Sequence, residues 1–172
     1  MGEEAPNYDK IRLIKVDEDG NEDWSKSVGP DSGKTEGRDI QLTTDGGYII
    51  TGYTKPNGTA DDEDFYIIKV DAAGDKLWDF QTGEQYNEFG EDVLETQDGG
   101  FVSTGYKMSD NDVEGDLYMI KVSATGDSVW AKTYGVTGTW ERGFTITEAN
   151  NGDLITVGNS LINGTNDGYG HK

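Results

Sequence analysis

The stretch DEDGNED, residues 17 to 23, places Asp17, Asp19, Asn21 and Asp23 at alternate positions. That spacing resembles the first half of a calcium-binding loop, in which alternating oxygen ligands turn toward one cation. The twelfth position, where such a loop needs a bidentate Glu, is Val28. The aligned stretches DAAGDKL and SATGDSV keep the glycine and lose the carboxylates. What all three share is therefore a hairpin turn, and calcium is the alternative use of Asp17, Asp19, Asn21 and Asp23. The acidic stretches ADDEDF (60–65) and SDNDVEGD (109–116) read as solvated loops, with collection of divalent cations as their alternative.

Aromatic residues raise the second question. Trp24, Trp78 and Trp130 recur at one position of an internal repeat, which assigns them to packing. Trp140 has no counterpart. It is read as part of a connecting loop, GVTGTWERG, where it and Arg142 are the candidate ligand contacts, for a glycan or another small molecule; the alternative is that Trp140 packs beside Arg142.

No catalytic set accompanies them. The single histidine, His171, is the penultimate residue, which leaves no material for a Ser-His-Asp relay or a multi-histidine metal centre. There are no cysteines, so disulfides, thiolate metal sites and cysteine nucleophiles are excluded. Carboxylate pairs are expected at this composition and do not by themselves mark a glycosidase. The sequence reads as a non-enzyme without a cofactor.

The 34 acidic and 14 basic residues give a formal charge of −20, a field that repels nucleic acid and anionic membrane. No segment approaches the roughly 18 apolar residues of a membrane helix, so no membrane insertion is expected. The opening MGEEAPNY has neither a basic region nor an apolar core, so no signal peptide is read there. Asn57-Gly-Thr59 and Asn163-Gly-Thr165 fit the N-glycosylation pattern and point weakly to an extracellular or cell-surface location.

The elements that must position these residues follow from repetition. IRLIKVDEDGNEDW (11–24) aligns with FYIIKVDAAGDKLW (65–78) and LYMIKVSATGDSVW (117–130), and TTDGGYIITGYT (43–54) with TQDGGFVSTGYK (96–107). Gly52, Gly105 and Gly158 are spaced by 53. The repeated units cover approximately 10–54, 64–107 and 116–160, with DGYGHK (167–172) an incipient fourth. Each unit resolves into four short strands rich in β-branched and aromatic residues, with Asp-Gly-Gly or Ala-Gly-Asp turns between them. No segment carries a capped 3.6-residue apolar period, so almost no helix is expected.

Four antiparallel strands per unit of this length predict an all-β chain, a β-propeller with about three four-stranded blades. The units resemble Kelch-like blades, with an Arg in the first strand, an apolar second strand ending in Gly and a Trp in the fourth. They are still more similar to the Asp-Gly-Gly-Tyr and Gly-Asp-x-x-Trp repeats of secreted or cell-surface bacterial and archaeal propellers. Gly46-Gly47 and Gly99-Gly100 depart from Kelch by preceding the second strand. The resemblance brings no catalytic residue.

Blades at 37–82 and 90–134 leave 10–28 as the last two strands of one blade and 143–160 as the first two of another. Three units fall short of the four to eight that usually close a propeller. The expected partner is therefore a second copy, joined in a ring or head to tail, or the remainder of a longer propeller. The function expected is a non-enzymatic scaffold or interaction module, with a carbohydrate-binding propeller or a calcium-stabilised adhesin as alternatives.

Overall fold

In the computed structural model, residues 9–55, 63–108, 115–136 and 139–162 are described. Asn57, Asn163, His171 and the incipient unit at 167–172 lie outside them. The described chain is all-β: twelve antiparallel strands in four sheets and no helix. Strands β1 (Ile11–Val16) and β2 (Glu22–Val28) form a two-stranded sheet. Strands β3 (Lys34–Leu42), β4 (Tyr48–Lys55), β5 (Asp64–Val70) and β6 (Lys76–Thr82) form a four-stranded meander. Strands β7 (Glu88–Glu95), β8 (Phe101–Met108), β9 (Gly115–Val122) and β10 (Ser128–Tyr134) repeat it. Strands β11 (Thr139–Glu148) and β12 (Leu154–Ile162) form the last pair. The four sheets do not close into a barrel, and β1 and β12 each keep a free edge.

The hairpin turns share one geometry. In six of them an N–H bonds the carbonyl four residues on, and a glycine in the third place after it donates back, as Asp17 and Gly20 do. Gly20 sits at φ +84°, which an L side chain adopts only with strain. This is why the glycine persists when the carboxylates around it do not.

Both faces of the complete sheets are covered along their central strands, and β5 is apolar from Phe65 to Ile68 and at Val70 for that reason. One face of the first four-stranded sheet brings Ile50, Ile68 and Val70 against Ile11, Leu13 and Val28 of the β1–β2 sheet. Its other face brings Ile49, Phe65 and Ile67 against Val93, Phe101, Ile120 and Val122. A third cluster joins Val102 and Met119 to Ile146. The tryptophans pack one sheet onto the next: Trp24 lies against Gly74, where an added Cβ would meet the indole at 2.8 Å, and Trp78 against Gly126, at 2.7 Å. Trp78 also donates its Nε1–H to the Ala124 carbonyl at 3.1 Å.

First and second strands approach unusually closely. A Cβ on Gly52, Gly105 or Gly158 would fall inside the carbonyl of Glu36, Phe89 or Arg142 respectively. A bulge in the first strand follows each of these close approaches, at Gly37/Asp39, Gly90/Asp92 and Gly143/Thr145. The bulge frees an aspartate for the next sheet. Asp39 accepts the Val93 N–H at 3.2 Å, and Asp92 accepts the Ile146 N–H and the Thr145 hydroxyl, both at 2.7 Å. Gly105→Ala should therefore destabilise the fold by about 2 kcal/mol or more, because the carbonyl it meets is backbone and cannot rotate away. Urea unfolding followed by tryptophan fluorescence measures this.

Candidate functional site

Trp140 is not in a loop. Strand β11 begins at Thr139, so Trp140 pairs with Leu161 and Arg142 with Asn159. The loop reading failed because the strand opens with Thr-Trp-Glu-Arg, which has no apolar alternation to mark it. Trp140 and Arg142 do meet. The guanidinium of Arg142 lies 3.9 Å from the Trp140 ring centroid and 4.2 Å from that of Tyr106. One face of the indole is thereby covered by a cation, so it is no open platform for a sugar on that side. Its Nε1 is buried without a hydrogen-bond partner, as is Nε of Arg142.

The stack continues across two further sheets. Tyr106 stacks on Phe89 at 4.7 Å, and Phe89 meets Tyr53 edge-on at 5.2 Å. Arg38 lies over the Tyr53 ring at 5.3 Å and pairs with Glu36 at 3.0 Å, and the Tyr53 hydroxyl donates to Glu36 at 2.7 Å. Sequence reasoning missed this ladder. Glu36, Phe89 and Arg142 occupy one repeat position with three side-chain types, so alignment alone gives no sign that they belong together.

Beside the ladder, Glu88 is 1% exposed. Burial pushes its carboxyl up to about 7, against the pull of Lys107, whose ammonium is 3.4 Å away and also pairs with Glu84 at 2.8 Å. Glu141, its counterpart one repeat on, accepts a hydrogen bond from Ser160 at 3.1 Å; burial chiefly, and the Glu141 charge after it, raises the carboxyl of Asp116.

Of the four residues considered for calcium, Asp17, Asn21 and Asp23 have their side chains engaged otherwise. Asp17 Oδ1 accepts the N–H groups of Asp19 at 3.0 Å and Asn21 at 2.8 Å, and the Asn21 amide donates to Oδ2 at 3.0 Å. Those bonds, chiefly the Asn21 side chain, hold its carboxyl below the ordinary range. Asp23 pairs with Lys15 at 3.4 Å, across the hairpin. Among the described residues no three His, Asp or Glu side chains gather as a metal site.

Apolar residues are exposed on β1 and β12 at positions that the complete sheets bury. Ile14 and Val16 on β1 are 58% and 52% exposed, whereas their repeat equivalents Ile68 and Val70, and Ile120 and Val122, are fully buried. Ile155 and Val157 on β12 are 53% and 62% exposed, against full burial at Ile49, Thr51, Val102 and Thr104. A groove of about 700 Å³ runs beside β12, walled by Met119, Trp130 and Leu154. A second, of about 220 Å³, runs beside β1, walled by Ile11, Leu13 and Ile50.

A carboxyl that protonates more readily folded than unfolded costs stability as pH rises from about 4.5, the ordinary Glu value, toward about 7. Glu88→Gln should therefore match the native protein near pH 5 and exceed it at pH 8 by about 1–3 kcal/mol. Urea denaturation at the two pH values tests this, and Lys107 keeps Glu84 as partner in the variant.

No family model matches the chain, and no curated protein matches it. Among solved structures, the fold is similar to that of a Bacteroides caccae protein of unknown function, with a TM-score of 0.53 and 14% identity. The match covers 83% of this chain and 44% of that one, so the chain spans less than half the length of that protein. At this identity the likeness concerns the fold alone.

Proposed function

We propose that this chain is a non-enzymatic interaction module of the β-propeller type, which assembles through its two ends. In this reading the sheets β3–β6 and β7–β10 are complete blades. The β1–β2 sheet is the outer half of a blade, and the β11–β12 sheet is the inner half. The partner is a second copy or the remaining blades of a longer propeller. Placement at the cell surface or outside the cell goes with the resemblance of its repeats to secreted and surface propellers.

The observation that carries the reading is the contrast in burial at equivalent positions. Ile14, Val16, Ile155 and Val157 are apolar where nothing in the described chain covers them, and the matching residues of the complete sheets are buried. Unpaired strand edges flanked by apolar side chains are templates for strand addition. The rest of the surface is strongly acidic, which keeps copies apart except where shape and hydrogen bonding pull them together.

Light scattering over a range of concentrations should show the chain as a dimer or as larger head-to-tail species. Ile14→Asp, at one end, and Val157→Asp, at the other, should each shift the mass to monomer while leaving the melting temperature of that monomer within a few degrees. A native chain that stays monomeric throughout would refute end-to-end assembly.

A further inference from the structure

The two ends carry departures from the repeat that match each other, and they identify the partner and the register of the joint. This inference rests on the assembly reading above and adds to it which chain docks and which residues decide it.

Within each complete sheet the second strand pairs with the third in a fixed register. Ile49 lies opposite Lys69, and Val102 opposite Lys121. The lysine then reaches across the hairpin turn. Lys69, 3% exposed, holds both oxygens of Asp45 at 2.9 and 3.0 Å and the Val70 carbonyl at 3.2 Å. Lys121 bonds one oxygen of Asp98 across the equivalent turn and, with the Thr96 hydroxyl, holds its carboxyl down to about 2. The turn glycine two residues later lies directly under this bridge. A Cβ on Gly47 would meet Lys69 Nζ at 2.6 Å, and one on Gly100 would meet the Val122 carbonyl at 2.7 Å.

At the third repeat the acid has moved. The position of Asp45 and Asp98 is Asn151, and the position of Gly47 and Gly100 is Asp153. Among the described residues no third strand lies beside β12, and none of them supplies this exchange with a lysine from its own sheet. Among the described residues the remaining lysine at the equivalent repeat position is Lys15 on β1, toward the other end, where it pairs with Asp23 at 3.4 Å.

A second position changes in concert. Between the complete sheets Thr51 faces Ser103, hydroxyl to hydroxyl at 2.8 Å, and one repeat on Thr104 faces Thr156 at 3.1 Å. In the same alignment Val157 takes the position of Thr51 and Thr104, and Ile50, packed with Ile11, takes that of Ser103 and Thr156. Both internal pairs are polar, and the two positions left without a hydroxyl partner are aliphatic.

We propose that the free edge of β12 is completed by β1 of a second copy of this chain, with Ile155 opposite Lys15 and Gly158 opposite Arg12. In that register Asp153, rather than Asn151, holds the Lys15 ammonium, and Val157 seats on Ile50. The Asp153 Cβ crowds the Val16 carbonyl of the incoming strand, so the pairing opens at that last rung and the long Lys15 side chain spans it.

The test is a charge exchange, read as the dissociation constant from light scattering or analytical ultracentrifugation. Lys15→Asp and Asp153→Lys should each weaken assembly at least about tenfold, as a like-charge contact does. The double variant carrying both should return to within about threefold of the native value, since the restored pair is again of opposite sign. All three should melt with the native monomer, because both residues are exposed in it. Assembly of the native chain with neither single variant affected, or with no recovery in the double variant, would overturn this joint and leave end-to-end assembly standing. A native chain that does not assemble would overturn both.

Discussion

Burial on both faces is the constraint from which the rest of this structure follows. A sheet that packs on a neighbour at each side has no solvent face, so its central strands lose the in–out alternation, as β5 does from Phe65 to Ile68. Such a sheet gains stability from each neighbour in turn, and each neighbour needs another. An array of this kind has no internal reason to stop. Ile14, Val16, Ile155 and Val157 are apolar residues on faces that no described sheet covers.

Apolar burial alone would let the sheets slide and rotate over one another. Directional bonds at each step of the repeat remove that freedom. The bulged aspartates Asp39 and Asp92 accept main-chain N–H groups of the next sheet, and Glu95 and Glu148 accept the N–H of Thr44 and Gln97 in the preceding turns. Bonds to a carboxylate are stronger and more exacting in geometry than neutral ones, which suits them to fixing an angle between sheets. Part of the acidic excess is accounted for here, since these carboxylates act as acceptors for backbone groups.

The repeat made much of this legible. Strand order, turn positions and the packing role of Trp24 and Trp78 all follow from side-chain types recurring at a fixed step, because equivalent residues meet equivalent neighbours. The boundary at Trp140 was illegible for a local reason: Thr139–Arg142 pairs with Ser160–Leu161 and its neighbours through the backbone, while its side chains show no alternation. The ring ladder was illegible for a tertiary one. Tyr53, Phe89, Tyr106 and Arg142 come from four strands of three sheets, and they touch only because successive first strands lie side by side. Nor does composition distinguish the buried Glu88 from the many solvated acids; its burial depends on the neighbouring sheet.

Departures from the repeat are the more informative half of the pattern. Inside the chain a substitution at one repeat position must suit the adjacent sheets, and the hydroxyl pairs Thr51–Ser103 and Thr104–Thr156 satisfy that requirement twice. At Asn151, Asp153 and Val157 the adjacent sheet is missing, so the described chain places no such requirement on them. Drift at an exposed edge would favour polar residues at Val157, yet an aliphatic side chain stands there at 62% exposure. It would also leave Lys15 without reason to keep the position of Lys69 and Lys121, on a strand where no turn of its own sheet offers the bridging carboxylate. A lysine, an aspartate two residues from its usual place and an unsupported valine have one physical circumstance in common: each stands at a sheet edge or face that no other described sheet covers.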